Sequence, residues 1–155
     1  MPPVSELFVA YIPAANVAKI PEPSLVVSIK GRYNDRPNIN RQMHHVFELD
    51  FDVGSWAVDA GYNLQDEQLT GLMAFLKEHE GSGRNLYVHC TEGRIRSYTV
   101  ADVLQRYTDF KMVRRSECDL LGPGGSGDAT TRDTMFDYFI KLEEAEEPVD
   151  EQIAQ

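Results

Sequence analysis

The stretch LYVHCTEGRIRS, residues 86–97, combines a short apolar run, a cysteine, a turn that contains glycine, and an arginine. The run at 86–89 has the composition of a buried strand. From residue 97 to about 107 apolar residues recur at helical spacing, which predicts a helix. The first turn of this helix would lie directly under the glycine-containing loop. Strand, loop and helix therefore follow one another here, and we expect the rest of the chain to be built around this unit.

Strands and helices alternate along the remaining sequence. No internal repeat or low-complexity domain interrupts the alternation, so we predict an α/β domain of three layers with a mostly parallel central sheet and helices on both faces. A polar surface loop is expected at 32–42, a further loop at 54–63 and a flexible glycine-rich loop at 122–127. The predicted strands are 6–12, 24–29, 46–52, 86–89 and 110–113, and the predicted helices are 14–20, 65–80, 97–107 and 131–147.

Length, composition and charge limit the classes of protein that this chain can represent. At 155 residues we expect a single domain over residues 1–147, followed by an acidic, disordered tail at 148–155. The net charge of −10 argues against nonspecific binding to nucleic acid or to an anionic membrane. No apolar run approaches the ~20 residues that span a bilayer, and the N-terminal residues lack the features of a secretory signal. We therefore expect a cytoplasmic protein.

The cysteine and histidine content gives no metal site or disulfide framework. Cys90 and Cys118 are the only cysteines, which is too few for a four-ligand zinc site. We interpret Cys118 as an inert thiol, and His44, His45 and His79 as surface or packing residues. The predicted site therefore contains no metal and no cofactor.

Cys90 lies where a strand ends and a helix is about to begin. The positive end of the helix dipole and a ring of backbone N–H groups lower the pKa of a thiol in this position, which favours the nucleophilic thiolate. Arg96 adds a planar, permanently charged group that can bind two oxygens of a phosphate. Gly93 permits a turn that β-branched residues would resist. Together these residues predict a nucleophile inside an anion-binding loop.

The residues from 89 to 97 follow the pattern His-Cys-x-x-Gly-x-x-Arg-Ser, which resembles the signature of the cysteine-dependent protein tyrosine and dual-specificity phosphatases. The resemblance implies hydrolysis of phosphate monoesters in two steps through a cysteinyl-phosphate, without a metal or cofactor. It assigns Cys90 as the nucleophile, Ser97 to assist departure of the thiolate, and His89 to orient the loop. Arg96 and the loop would hold the phosphate oxygens, so the predicted substrate-binding residues are Thr91, Glu92, Gly93, Arg94 and Ile95.

The family also needs a general acid, which it takes from an aspartate on a separate loop upstream of the cysteine. Asp52 follows the strand predicted at 46–52, and the parallel sheet would bring that strand end to the same edge as Cys90. The register common among compact family members falls on Val53 instead. Asp50 and Asp59 are therefore alternative candidates for the acid.

Three functions are consistent with this sequence. The first is hydrolysis of phosphotyrosine or phosphoserine/threonine in proteins, so that the partners are phosphorylated proteins or peptides and the loop binds phosphate or another oxyanion. The second is a catalytically weak module that binds phosphate or phosphoprotein because its acid is misplaced. The third is the same chemistry on RNA 5′-phosphates or phosphoinositides, against which the acidic charge and the absence of loop lysines argue.

Overall fold

The computed structural model describes residues 6–146 except 124 and 126, so the predicted acidic tail lies outside the described residues. Two 3-10 helices, Ala14–Lys19 and Arg115–Glu117, accompany the main elements. The strands are β1 (Phe8–Pro13), β2 (Leu25–Lys30), β3 (His45–Asp50), β4 (Leu86–Cys90) and β5 (Lys111–Met112). The helices are α1 (Ser55–Ala60), α2 (Asp66–Glu78), α3 (Arg96–Tyr107) and α4 (Ala129–Glu146).

The five strands form one sheet in the order β3-β2-β4-β1-β5, and every pairing is parallel. The central strand β4 is hydrogen-bonded to β2 and β1, with Val88 opposite both Val27 and Tyr11. All five residues of β4 are buried, as expected of a strand covered on both faces. The predicted α/β class is confirmed, and the sheet is entirely parallel.

Helices flank the sheet in the predicted layers. Helix α4 packs against both α3 and α2, because Phe139 stacks on Tyr107 at a centroid distance of 4.5 Å and the Tyr138 hydroxyl bonds to Thr70 at 3.2 Å. The 3-10 helix Ala14–Lys19 packs against β1 and β4. From β1 through this 3-10 helix to β2 the chain moves along the sheet in one direction, whereas it moves in the opposite direction through α2 and through α3. Since such crossovers are right-handed, the 3-10 helix lies on the opposite face of the sheet from α2 and α3.

One predicted loop contains a helix instead. The segment 54–63 includes α1, which is bracketed by Gly54 (φ 101°) and by Gly61 in the left-handed conformation (φ 79°). Six residues are too few for helical periodicity to emerge from the sequence, so the prediction was wrong here. Ala57 is the buried residue of α1, and its burial holds the helix against the body of the domain.

Candidate active site

A cavity of about 270 Å³ opens at the edge of the sheet where the parallel strands end. Residues from three separate segments line it: the loop after β2, the segment after β3 and the loop after β4. The lining residues are Asn34, Asp52, Val53, Trp56, Cys90, Thr91, Glu92, Arg94, Ile95 and Arg96. A larger cavity of about 630 Å³, lined in part by Met73, His79 and Tyr107, contains none of the predicted site residues.

The loop between β4 and α3 depends on Gly93. This glycine has φ 67°, and a Cβ added to it would lie 2.5 Å from the backbone nitrogen of Pro13 at the end of β1. The Ala14 N–H donates to the carbonyl of Thr91 at 3.2 Å, so the loop is pinned to the neighbouring strand exit. Both the backbone conformation and the close approach therefore exclude a side chain at position 93.

The start of the glycine-rich segment packs directly against this loop. A Cβ at Gly122 would lie 2.0 Å from the carbonyl oxygen of Gly93, so the two backbones meet directly. The Gly122 N–H donates to the carbonyl of Tyr11 at 3.0 Å, and Arg115 Nη2 donates to the Gly122 carbonyl at 2.7 Å. The start of the segment predicted as a flexible loop is thus buried and fixed, because it must fit under Gly93.

The Cys90 thiol lies at the base of the cavity and is only 3% exposed. Burial by itself raises the pKa of this thiol. Hydrogen bonds outweigh that effect: one comes from the hydroxyl of Ser97, whose Oγ lies 3.1 Å from Sγ, and others come from the backbone of Ser97, Arg94 and Gly93. The net result is a lowered pKa for Cys90, since these donors stabilise the thiolate.

Hydrogen bonds and one ion pair hold the Arg96 guanidinium in place. Its Nη2 donates to Asn34 Oδ1 and to Thr91 Oγ1, each at 3.2 Å. Its Nη1 donates to the carbonyl of Phe51 at 3.3 Å and lies 3.6 Å from Asp52 Oδ1. The side chain is 13% exposed, so a cation is fixed in the cavity that also contains Cys90, with little freedom left to lose when an anion binds.

Of the three candidate acids, only Asp52 lines the cavity. Its Oδ2 accepts the Arg32 N–H at 2.8 Å, and its side chain is 14% exposed. Asp50 instead pairs with Arg36, and the exposed Asp59 lies on α1. The structure therefore brings Asp52 together with Cys90 and Arg96, and leaves the two alternatives outside the cavity.

His89 is buried on the other side of β4 from Cys90, because adjacent residues of a strand point to opposite faces. Its Nε2 lies 2.5 Å from Ser28 Oγ, and its Nδ1 lies 3.4 Å from the carbonyl oxygen of Cys90. Burial, assisted by the charges of Arg36 and Arg96, lowers the pKa of His89 to about 4. The imidazole is therefore neutral at physiological pH.

No sequence pattern indicated Asn34 or Trp56 as a residue of the site. Asn34 lies in the polar segment predicted as a surface loop, yet it bonds to Arg96 inside the cavity. Trp56 lies in the predicted loop at 54–63, is 44% exposed, and packs between Tyr33 and Tyr62 at centroid distances of 6.1 and 6.4 Å. Neither residue belongs to a periodic pattern or a motif, so only the fold brings them to the cavity.

Cys118 and the other histidines lie outside the cavity lining. His44 is buried and its Nδ1 accepts the Ser24 N–H at 3.0 Å, whereas the rings of His45 and His79 stack at 4.1 Å. Among the described residues, no group of three or more histidine, cysteine or acidic side chains is arranged to hold a metal ion.

Neither the models of known protein families nor the curated proteins match this chain. Over the part of the chain that the structure covers, no helix has the length and apolar character needed to cross a membrane.

Proposed function

We propose that this protein is a cysteine-dependent phosphatase of the protein tyrosine and dual-specificity class, which hydrolyses phosphate monoesters in proteins. The observation that carries the proposal is the lowered pKa of Cys90 in a cavity that also contains Arg96. A thiol whose ionisation is favoured by surrounding hydrogen-bond donors, in one cavity with a fixed two-pronged cation, suits attack on a dianionic phosphate.

In the first proposed step, the Cys90 thiolate attacks phosphorus while the bond from phosphorus to the leaving oxygen breaks. Asp52, in its protonated form, gives its proton to that oxygen, so the departing group leaves as a neutral alcohol or phenol. Arg96 and the backbone N–H groups of the loop bind the equatorial oxygens, where negative charge is concentrated in the transition state. The product on the enzyme is a cysteinyl-phosphate.

In the second step, water attacks phosphorus and the bond from phosphorus to sulfur breaks. Asp52 is now a carboxylate and takes a proton from the water. The Ser97 hydroxyl donates a hydrogen bond to the departing thiolate, which is consistent with its 3.1 Å distance from Sγ. Inorganic phosphate leaves, and Cys90 and Asp52 return to their starting states.

The exposed rings around the cavity mouth support a protein substrate with an aromatic phosphate ester. Tyr33 is 79% exposed and Trp56 is 44% exposed, and Trp56 also lines the cavity. An aryl group that enters with its phosphate can pack against these rings, which favours phosphotyrosine over phosphoserine.

The test is turnover of para-nitrophenyl phosphate and of matched phosphotyrosine and phosphoserine peptides. We expect Cys90→Ser to abolish hydrolysis and vanadate to inhibit the wild type, whereas Cys118→Ser leaves turnover unchanged. Hydrolysis that survives Cys90→Ser, or that resists vanadate, contradicts the mechanism.

A second candidate function, phosphate recognition without efficient turnover, is favoured by two contacts of Asp52. Asp52 is engaged on both oxygens, since Oδ2 accepts from Arg32 and Oδ1 lies beside Arg96. An acid held in this way is poorly placed to follow a leaving group. Micromolar binding of a phosphopeptide, with negligible hydrolysis that no substitution of Asp52 alters, would favour this function over catalysis.

A further inference from the structure

A chain of four hydrogen-bonding groups crosses the sheet from the loop after β2 to the carbonyl of Cys90. Arg36 Nη1 donates to Ser28 Oγ at 3.0 Å and also to the Ser28 carbonyl. Ser28 Oγ lies 2.5 Å from His89 Nε2, and His89 Nδ1 lies 3.4 Å from the Cys90 carbonyl oxygen. Ser28 and His89 are 0% and 1% exposed, so water does not compete for these contacts.

Only one arrangement of donors and acceptors satisfies all four of these hydrogen-bonding groups. A guanidinium has donors and no acceptor, so Ser28 Oγ must accept from Arg36. Ser28 Oγ has a second lone pair and could also accept from a protonated Nε2, but Nδ1 of the neutral ring would then carry no hydrogen and would face the lone pairs of the Cys90 carbonyl. The hydroxyl hydrogen of Ser28 is therefore directed to His89 Nε2, which accepts it and carries no proton. Because the imidazole is neutral, its proton is on Nδ1, from which it is donated to the Cys90 carbonyl.

Arg36 is itself held from outside by two carboxylates. It pairs with Asp50, and its Nε lies 3.4 Å from Glu48 Oε2. Its side chain is 14% exposed, compared with 62% for Asp50 and 49% for Glu48. The charge of Arg36 is thus balanced at the surface while its Nη1 group reaches into the sheet.

We propose that Arg36 is a positioning residue that fixes the tautomer of His89 through Ser28 and thereby the orientation of the Cys90 loop, with Asp50 as its counter-ion. The expected effect of Arg36 on catalysis rests on the proposed function, whereas the assignment of the His89 tautomer does not. Asp50, an alternative candidate for the general acid, acts in this arrangement as a support for Arg36.

The direct test is the tautomer of His89 in the full-length protein, measured from the two ring-nitrogen chemical shifts of ¹⁵N-labelled histidine at neutral pH. The wild type should show a protonated Nδ1 and an unprotonated Nε2. In Arg36→Met, no donor holds the hydroxyl hydrogen of Ser28 towards His89, so the hydroxyl can rotate to accept from Nε2 and the Nε2 signal should move towards the protonated shift. Arg36→Lys retains a donor without an acceptor and should keep the wild-type tautomer.

Arg41→Met is the matched control. Arg41 lies in the same segment and shares the Glu48 carboxylate, with Nη2 2.7 Å from Oε2, but its side chain is 55% exposed. The Arg41→Met variant should leave the two ring-nitrogen chemical shifts of His89 unchanged. If Arg36→Met does not fold, Asp50→Asn loosens Arg36 without removing a buried atom and should shift Nε2 in the same direction by a smaller amount.

Kinetics separate this proposal from the proposed function. We expect Arg36→Met to lower kcat on para-nitrophenyl phosphate on the order of tenfold, as for one lost hydrogen bond, with little change in KM. A wild-type protein without turnover but with the Nδ1–H tautomer refutes the function alone. Unchanged His89 shifts in Arg36→Met, or equal shifts in Arg41→Met, overturn the positioning role whatever the turnover.

Discussion

The guanidinium of Arg96 and the carboxylate of Asp52 lie side by side in the cavity, with Nη1 3.6 Å from Oδ1 and both side chains largely buried. A phosphate that binds to Arg96 must therefore come close to a carboxylate. Asp52 can supply a proton, but as a carboxylate it also opposes binding of a dianion to Arg96, since like charges repel at short range. Asp52 should consequently affect binding and turnover in opposite directions.

Asp52→Asn should lower kcat on phenyl phosphate by about a hundredfold, the lower range for loss of a general acid. The same substitution should tighten competitive inhibition by inorganic phosphate, because it removes a negative charge beside Arg96. Steady-state kinetics with both reagents measure the two effects. Asp59→Asn is the control and should change neither, and weaker phosphate binding in Asp52→Asn would contradict this account.

Ser97→Ala should raise the pKa of Cys90, because it removes the side-chain hydrogen bond that helps to stabilise the thiolate against burial. The measurement is the rate of alkylation by iodoacetamide across pH, in a Cys118→Ser background so that only Cys90 reacts. The midpoint should move to higher pH. Ser82→Ala, at an exposed position after α2, should leave it in place, and an unchanged midpoint in Ser97→Ala would refute the role of the hydroxyl.

Gly93→Ala should disrupt the loop more than backbone strain alone predicts. Gly81 provides the matched control, since it has a similar positive φ of 84° but nothing lies within 4 Å of an added Cβ. Gly81→Ala should lower the free energy of unfolding by roughly 1 to 2 kcal/mol and leave turnover intact. Gly93→Ala should be less stable than Gly81→Ala in urea denaturation and should no longer bind vanadate. Equal losses would contradict the contact with Pro13.

The buried imidazole of His89 should make the fold sensitive to acid. Its pKa is lowered from 6.5 to about 4, so between these values the unfolded chain binds more protons than the folded one. Stability from this source is complete above pH 6.5 and is lost as pH falls towards 4, by about 3 kcal/mol. Urea denaturation at pH 7.5 and pH 5 should show a larger loss in wild type than in His89→Gln. His44 and His45 are present in both proteins, so equal losses would refute the effect.

The sequence by itself determined the part of the site that is contiguous in the chain. Strand, loop and helix around Cys90 could be predicted because period, composition and motif all act over neighbouring residues. The need for glycine at position 93 follows from the same local geometry. The α/β class could also be predicted, because the alternation of strands and helices restricts how the layers can stack.

Only the tertiary structure decided which distant residues meet that loop. Asp52 could not be separated from Asp50 and Asp59 with certainty in sequence, because β3 ends at Asp50 and the course of the chain beyond it decides which aspartate reaches the cavity. The sheet order places β2 next to β4 and β3 next to β2, and the segments after β2 and β3 bring Asn34 and Asp52 to the cavity. Pairings such as Arg36 with Ser28 depend on loop conformations that no local pattern encodes, because they are selected by contacts between segments far apart in the chain.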